Sequence, residues 1–213
     1  MTEQTGDATV VFVHGIWMTG LELSLLRYRV ARCGYRTRLF RYRTTRRSPA
    51  ENAEALAAFL ARQEGSTLHL VAHSLGGIVV CHLLASHPPA RLGRVLMLGS
   101  PLRGSLPARL LWRHRRLRWL LGRSGERGLL DGAPPCPEDL EIGMIAGTRG
   151  FGVGTLLAGE ALPRPHDGTV AVSETLEPAI RQRLLLPSGH FGMLFSRRVA
   201  DAACRFLQSG RFD

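Results

Sequence analysis

The feature that most constrains the fold is an apolar strand-like run that ends in a serine and continues directly as an apolar helical run. Leu68–His73 is the strand-like part, Ser74 follows it, and Leu75–Ser86 has the helical pattern. A serine on so sharp a turn stands above a sheet edge and needs small residues two positions before and after it. Ala72 and Gly76 occupy those positions. The pattern predicts a nucleophilic serine rather than one that merely caps the helix.

Short apolar runs alternate with helical patterns along the chain. This alternation predicts βα units that build a mainly parallel sheet with helices on both faces. The predicted strands are Thr9–His14, Arg36–Tyr42, Leu68–His73, Arg94–Gly99, Glu141–Gly147 and Arg183–Leu186, and the predicted helices are Leu21–Cys33, Ala50–Gln63, Leu75–Ser86 and Ser196–Gln208. The arginines of the second strand favour a sheet edge. At 213 residues and 45% hydrophobic content we expect one domain, 1–213, with 101–139 inserted as a cap.

A nucleophilic serine needs a base, and the base needs an acid that orients it. On this type of turn the chain order is serine, acid, histidine. His190, in a glycine-flanked loop after the last predicted strand, is the predicted base, and Asp167, followed by a glycine and an apolar stretch, is the predicted acid. His166 is rejected as the base because it precedes the acid. Glu160 and Glu174 remain alternatives for the acid.

Backbone N–H groups must face the oxygen that becomes negative during acyl transfer. Leu75, directly after the serine, is expected to supply one N–H group. Ile16 is expected to supply the other, because a histidine-glycine pair ends the first predicted strand and lets the backbone turn toward the serine. Trp17 and Leu102 are expected to line the substrate site.

The net charge of +11 is concentrated in two segments. All 28 basic residues are arginine; six lie in 36–47 and eight in 103–127, where Glu126 is the one acid. Nucleic acid, anionic lipid or an acidic partner could each meet such patches. No recognition helix, zinc finger or RNP-like motif accompanies them, so we expect no sequence-specific nucleic-acid partner.

The 103–127 segment also carries two tryptophans. If Leu106–Leu121 forms one helix, Trp112 and Trp119 lie beside arginines, opposite a leucine stripe made of Leu106, Leu110, Leu117 and Leu121. The stripe is then expected to pack on the body. The outward face would contact an anionic membrane or an acyl substrate. The alternative is a solvated arginine face whose tryptophans pack on neighbouring leucines.

The cysteines match neither a zinc-ligand pattern nor a disulfide-dense secreted scaffold. We therefore expect packing thiols at Cys33, Cys81, Cys136 and Cys204. The sequence also shows no apolar run of ~20 residues and no signal-peptide pattern. These features favour a cytoplasmic protein, with peripheral membrane contact at most.

Together these motifs resemble those of the α/β-hydrolases, and more closely the small bacterial lipases with a minimal version of that fold. The matching segments are His14-Gly15-Ile16, Ala72 to Gly77, Val95 to Gly99 and His190 to Ser196. The resemblance implies strand order 2-1-3-4-5-6, no metal or organic cofactor, and serine-dependent hydrolysis of carboxylic esters with an acyl or lipid substrate. It also implies roles for five residues: a triad of Ser74, Asp167 and His190, and oxyanion donors at Ile16 and Leu75.

This chain departs from those lipases in two ways, because they are secreted and essentially lidless. It shows no signal peptide and it carries the long 101–139 segment. Two alternatives therefore stay open. One is a thioesterase or amidase with the same triad, and the other is a non-catalytic basic module that binds a membrane or a partner.

Overall fold

The computed structural model describes residues 7–213, and within them one six-stranded parallel sheet has the order β2-β1-β3-β4-β5-β6. This order and the edge position of the arginine-rich strand confirm the prediction. Each strand end lies within two residues of its predicted place. The strands are β1 (Ala8–Val13), β2 (Arg36–Phe40), β3 (Thr67–His73), β4 (Leu92–Leu98), β5 (Ile142–Gly147) and β6 (Gln182–Leu186).

Helices cover both faces of the sheet. They are α1 (Ser24–Ala31), α2 (Pro49–Leu60), α3 (Leu75–Ser86), α4 (Leu106–Arg113), α5 (Arg118–Leu121), α6 (Val153–Ala158), α7 (Gly192–Phe195) and α8 (Arg197–Ser209). The side chains of α2 and α3 pack on one face, and those of α1, α7 and α8 pack on the other. No helix within residues 7–213 is long and apolar enough to cross a membrane.

Local sequence fixes where α2 begins. The Ser48 hydroxyl accepts a hydrogen bond from the Glu51 N–H at 3.3 Å, and the Glu51 carboxylate accepts one from the Ser48 N–H at 2.8 Å. Pro49 occupies the first helical position, where its missing N–H costs nothing. This reciprocal cap starts the helix that follows the edge strand.

The 106–121 region is not one helix, so the predicted leucine stripe was wrong. His114 has extended backbone angles (φ −85°, ψ 99°), and these stop α4 at Arg113. The Arg118 Nε–H donates to the Trp112 carbonyl at 2.7 Å, which satisfies an acceptor near the helix end. A 3₁₀ turn precedes the four-residue α5. The break changes the helical phase, and Leu117 is consequently 38% exposed.

The expectation of packing thiols was wrong for two of the four cysteines. Cys33, just after α1, forms a disulfide with Cys204 of α8. The two helices pack on the same face of the sheet, although the cysteines are 171 positions apart in sequence. Cys81 and Cys136 are buried free thiols with their sulfur atoms 3.2 Å apart.

Candidate active site

Ser74 lies on the sharp turn between β3 and α3 that its sequence predicted. Its backbone is in a strained region (φ 54°, ψ −121°) that residues other than glycine rarely occupy. A Cβ atom at Gly76 would lie 2.5 Å from the Val13 carbonyl oxygen, so glycine is needed two positions later. Tight packing of α3 against the end of β1 therefore holds the serine at the carboxyl edge of the sheet.

His190 and Asp167 form a buried hydrogen-bonded pair. The His190 Nδ1 and Asp167 Oδ2 atoms are 2.6 Å apart, and the two residues are 5% and 1% exposed. The other carboxylate oxygen accepts from the Thr169 N–H at 2.9 Å and the Val170 N–H at 2.7 Å. The backbone N–H of His190 also donates to the backbone carbonyl of Asp167 at 2.9 Å. When Nδ1–H donates to the carboxylate, Nε2 is left as the basic nitrogen.

Two glycines at strand ends make room for this pair. A Cβ atom at Gly99, which follows β4 and has φ +55°, would lie 3.0 Å from the Asp167 carboxylate and 3.2 Å from His190 Nδ1. A Cβ atom at Gly147, the last residue of β5, would lie 2.7 Å from the Asp167 Cβ. The loops after β5 and β6 can therefore approach the end of β4 closely.

The rival residues have other partners. The Glu174 carboxylate accepts from the Leu106 N–H at 2.5 Å and from the Ala171 N–H at 2.9 Å. Glu160 is exposed in a 3₁₀ turn after α6. His166 Nδ1 accepts from the Gly168 N–H, and its ring lies in a separate shallow cavity. Of the three acid candidates, Asp167 is the one whose carboxylate contacts His190.

The turn between β1 and α1 approaches Ser74 as predicted. A Cβ atom at Gly15 would lie 3.1 Å from the Ser74 Cβ. Ile16 and Trp17 line the same cavity as Ser74 and His190. Leu75 opens α3 immediately after the serine, so its N–H group is at the start of a helix, where backbone N–H groups lack helical partners.

The cavity beside Ser74 has a volume of about 100 Å³ and is almost entirely apolar. The 101–139 segment and α6 supply much of its wall, through Pro101, Ser105, Pro107, Ala108, Leu111, Leu121, Leu129, Val153, Gly154 and Leu157. Sequence reasoning missed these lining residues.

Trp17 lines the cavity beside Ser74, whereas Leu102, Trp112 and Trp119 lie outside its wall. Leu102 is 4% exposed and belongs to the core beneath α4. Trp112 lies under the Arg118 guanidinium, 5.1 Å from its ring centre, and packs against the core. Trp119 is 72% exposed, away from the cavity wall. The break between α4 and α5 at His114 explains why the two tryptophans face different ways.

His73 packs against His190. Its Nε2 lies 3.2 Å from the His190 carbonyl oxygen, and the two rings have centroids 4.6 Å apart. Burial, and then the nearby charge of His190, lower the pKa of His73 well below its usual value. The side chain is therefore neutral at neutral pH and donates through Nε2–H. Sequence reasoning gave this residue no role at the site.

Within residues 7–213, no group of three or more His, Cys, Asp or Glu side chains could hold a metal ion. The arrangement consists of protein groups: a serine on a strained turn, an imidazole oriented by a carboxylate, and backbone N–H groups around an apolar cavity. Such a set can carry out nucleophilic acyl transfer.

Known proteins share this architecture. The lipase BlEst2 from Bacillus licheniformis in its mature form superposes with a TM-score of 0.69 at 19% identity, over 89% of this chain and 87% of the lipase. The metagenomic carboxyl esterase MGS0156 gives 0.66 at 22% identity, over 87% of this chain and 65% of the esterase. The pyrethroid hydrolase PytH gives 0.61 at 18% identity, over 95% and 98%. These likenesses show the shared fold.

Comparison with curated proteins finds no match. A family model described as "Alpha/beta hydrolase family" matches residues 10–202, a range that contains the serine turn, the acid loop and the histidine loop. On that match and the sheet order, the chain belongs to the alpha/beta hydrolase family.

Proposed function

We propose that this protein is a serine hydrolase that cleaves carboxylic esters in a single domain, with the 101–139 segment as its cap. The observation that carries the proposal is the shared cavity of Ser74 and His190, in which the buried Asp167 carboxylate holds the imidazole at 2.6 Å. A packed core has no need of a strained serine, an oriented imidazole and an apolar pocket in one place.

The mechanism follows from this geometry. The Ser74 hydroxyl oxygen attacks the ester carbonyl carbon while His190 Nε2 takes the hydroxyl proton. The carbonyl electron pair moves onto the oxygen, which the N–H groups of Ile16 and Leu75 stabilise. Collapse of this intermediate expels the alcohol, which leaves with the proton from His190. Water then attacks the acyl-enzyme by the same route, releases the acid and restores Ser74.

The cavity bears on the acyl group. Its apolar wall suits an alkyl chain, and its volume of about 100 Å³ is below the ~300–1,000 Å³ typical of drug-sized pockets. We therefore expect short acyl chains to fit best. The same triad and oxyanion donors also suit thioester and amide hydrolysis. An enzyme distinguishes these substrates from esters through contacts with the leaving group.

Hydrolysis of p-nitrophenyl esters of increasing acyl length tests the proposal, with acyl thioesters and anilides run in parallel. Ser74→Ala and His190→Ala should each abolish turnover, and a fluorophosphonate probe should label wild type at Ser74 but leave Ser74→Ala unlabelled. Faster turnover of thioesters or anilides would favour the alternative substrate classes. If wild type is not labelled and turns over none of these substrates, the result would contradict the hydrolase proposal and favour a non-catalytic binding module.

Exposed apolar side chains around the cavity mouth support a lipid contact. Trp17, Val153, Leu157 and Phe191 line the cavity and are each 41–51% exposed. On the α6 side, Phe151 and Leu156 are 88% and 83% exposed. Several large exposed apolar side chains near one cavity are typical of a binding site in soluble proteins. We call these six residues the mouth rim.

Charge selects the partner for the mouth rim. Arginines abound in the adjoining 103–127 segment, and the net charge of +11 favours an anionic surface. The proposed contact is therefore an anionic membrane met through the rim and the cap arginines together, rather than through one helix face with both tryptophans. Of that predicted pair, Trp119 remains available for such contact.

Flotation with phosphatidylglycerol vesicles tests this contact, with phosphatidylcholine vesicles as the comparison. Wild type should float with the anionic vesicles, and a Phe151→Ser/Leu156→Ser double variant should stay in the soluble fraction. Leu185→Ser is the matched control, because Leu185 is 52% exposed on the edge strand β6, outside the rim. Equal recovery of all three proteins with the vesicles would contradict a contact through the rim.

A further inference from the structure

The turn that carries Ile16 is strained and lies beyond the sheet. We define the oxyanion turn as residues 14–17. It begins where β1 ends at Val13, so the sheet ladder no longer fixes it. Trp17 has φ +59°, a left-handed value that is unfavourable for a bulky side chain. A backbone in this state persists only when its surroundings hold it.

Tyr42 holds the first residue of the oxyanion turn. Its hydroxyl donates to the His14 carbonyl oxygen at 2.7 Å. Its ring stacks on the His14 ring, with centroids 4.5 Å apart and planes 21° apart, and stacks on Phe40 at 5.5 Å on the β2 side. Burial raises the pKa of Tyr42 far above its usual range, so the hydroxyl remains a donor at every working pH.

Thr44 holds the last residue of the same turn. Its buried hydroxyl oxygen accepts from the Trp17 N–H at 3.3 Å. The Trp17 indole N–H donates to the Leu120 carbonyl of α5 at 2.7 Å. The segment after β2 therefore grips both ends of the oxyanion turn, and the cap holds its tryptophan.

We propose that Tyr42 and Thr44 are positioning residues that fix the Ile16 N–H as an oxyanion donor, an inference that rests on the proposed function. Neither residue lines the cavity, so neither contacts the substrate there. Ile16 lies between the two gripped positions, and releasing either one lets its N–H group move. A displaced donor loses its bond to the oxyanion in the transition state, while binding of the uncharged ester changes little. The effect therefore falls on kcat rather than on KM.

Tyr42→Phe removes the hydroxyl and keeps the stacked ring. We expect kcat for the best p-nitrophenyl ester to fall about 10- to 100-fold with KM within two-fold. Affinity for an alkyl boronic acid, which forms a tetrahedral adduct on the serine, should weaken along with kcat. Tyr28→Phe is the matched control, because Tyr28 is 59% exposed on α1 and its hydroxyl lies on the surface. That variant should behave as wild type.

Thr44 supplies the second arm of the test. Thr44→Val removes the acceptor at nearly constant volume and should lower kcat, whereas Thr44→Ser retains the hydroxyl and should restore most of it. The inference is overturned if Tyr42→Phe matches Tyr28→Phe in an active enzyme, or if the losses are confined to KM. A wild type without Ser74-dependent turnover would overturn the proposed function, and this inference with it.

Discussion

The floor of the site and the 101–139 segment above it are held in different ways. Ser74, Asp167 and His190 lie in the turns and loops after parallel strands and are each at most 7% exposed. They lie beside glycines at which an added Cβ atom would be in close contact with them or with the neighbouring backbone. The 101–139 segment forms short helices joined by a 3₁₀ turn. The residues proposed to make and break bonds thus lie in the tightly packed floor. Much of the wall that would contact the substrate lies in the 101–139 segment.

Several polar contacts hold the 101–139 segment to the body, among them an ion pair between Arg123 and Glu51 at 2.7 Å. The Glu174 carboxylate accepts from the first N–H of α4, and the Trp17 indole donates to Leu120. His82 Nε2 of α3 lies 2.7 Å from the Arg127 carbonyl oxygen. A few such bonds, each worth about 1 kcal/mol net, can be changed singly by mutation. The segment can therefore vary in sequence without disturbing the floor.

The largest expected effect comes from the floor. Asp167→Asn should lower kcat about 10⁴-fold, because an amide in place of the carboxylate no longer favours the Nδ1–H tautomer of His190. The thermal midpoint and circular dichroism spectrum should stay close to those of wild type. Steady-state ester hydrolysis measures the loss. A loss below ten-fold would mean that another carboxylate orients the base, and Glu174→Gln would then be the variant to measure next.

A Leu→Ala substitution made once in the sheet below the floor and once in the 101–139 segment gives the next largest expected effect, on the free energy of unfolding. Leu70 of β3 is fully buried, whereas Leu117 of the 3₁₀ turn is 38% exposed. Leu70→Ala should lower the free energy of unfolding by about 2–5 kcal/mol, through lost burial and the cavity it leaves. Leu117→Ala should lower it by about 0.5 kcal/mol or less. Urea titration of both variants measures the difference, and equal losses would contradict the contrast between the regions.

The same contrast decided what sequence could predict. The small residues around Ser74 and the alternation of apolar runs are local signals, and the serine turn and the mainly parallel sheet follow from them. The strand order was implied by the family resemblance. The Cys33–Cys204 bond depends on helices far apart in sequence. Tyr42 carried no motif, because its role requires β1 and β2 to be paired. Local patterns cannot register such long-range contacts.

Buried titratable groups in the floor and at its contact with the 101–139 segment should respond to pH with opposite signs. In the floor, burial lowers the pKa of His73, so the unfolded chain binds a proton near pH 6.5 that the folded protein does not. Stability is then lost as pH falls below about 6.5, by up to about 1.4 kcal/mol per pH unit.

At the base of α4, burial raises the pKa of Glu174 above 4.5, although two backbone hydrogen bonds oppose the shift. Its contribution is present below pH 4.5 and is lost as pH rises through the raised pKa.

Urea unfolding between pH 4.5 and 7.5 separates these two contributions and gives the smallest expected effect. Wild type should lose stability toward acid, because His14 and His82 also have a pKa lowered by burial and add to the loss from His73. His73→Asn should flatten that loss below pH 6.5. Glu174→Gln should steepen it, because this variant removes a carboxyl group whose pKa is raised by burial while the histidines remain. If His73→Asn retains the full wild-type slope, the floor does not hold this histidine neutral, and the proposed support of His190 by a neutral donor fails with it.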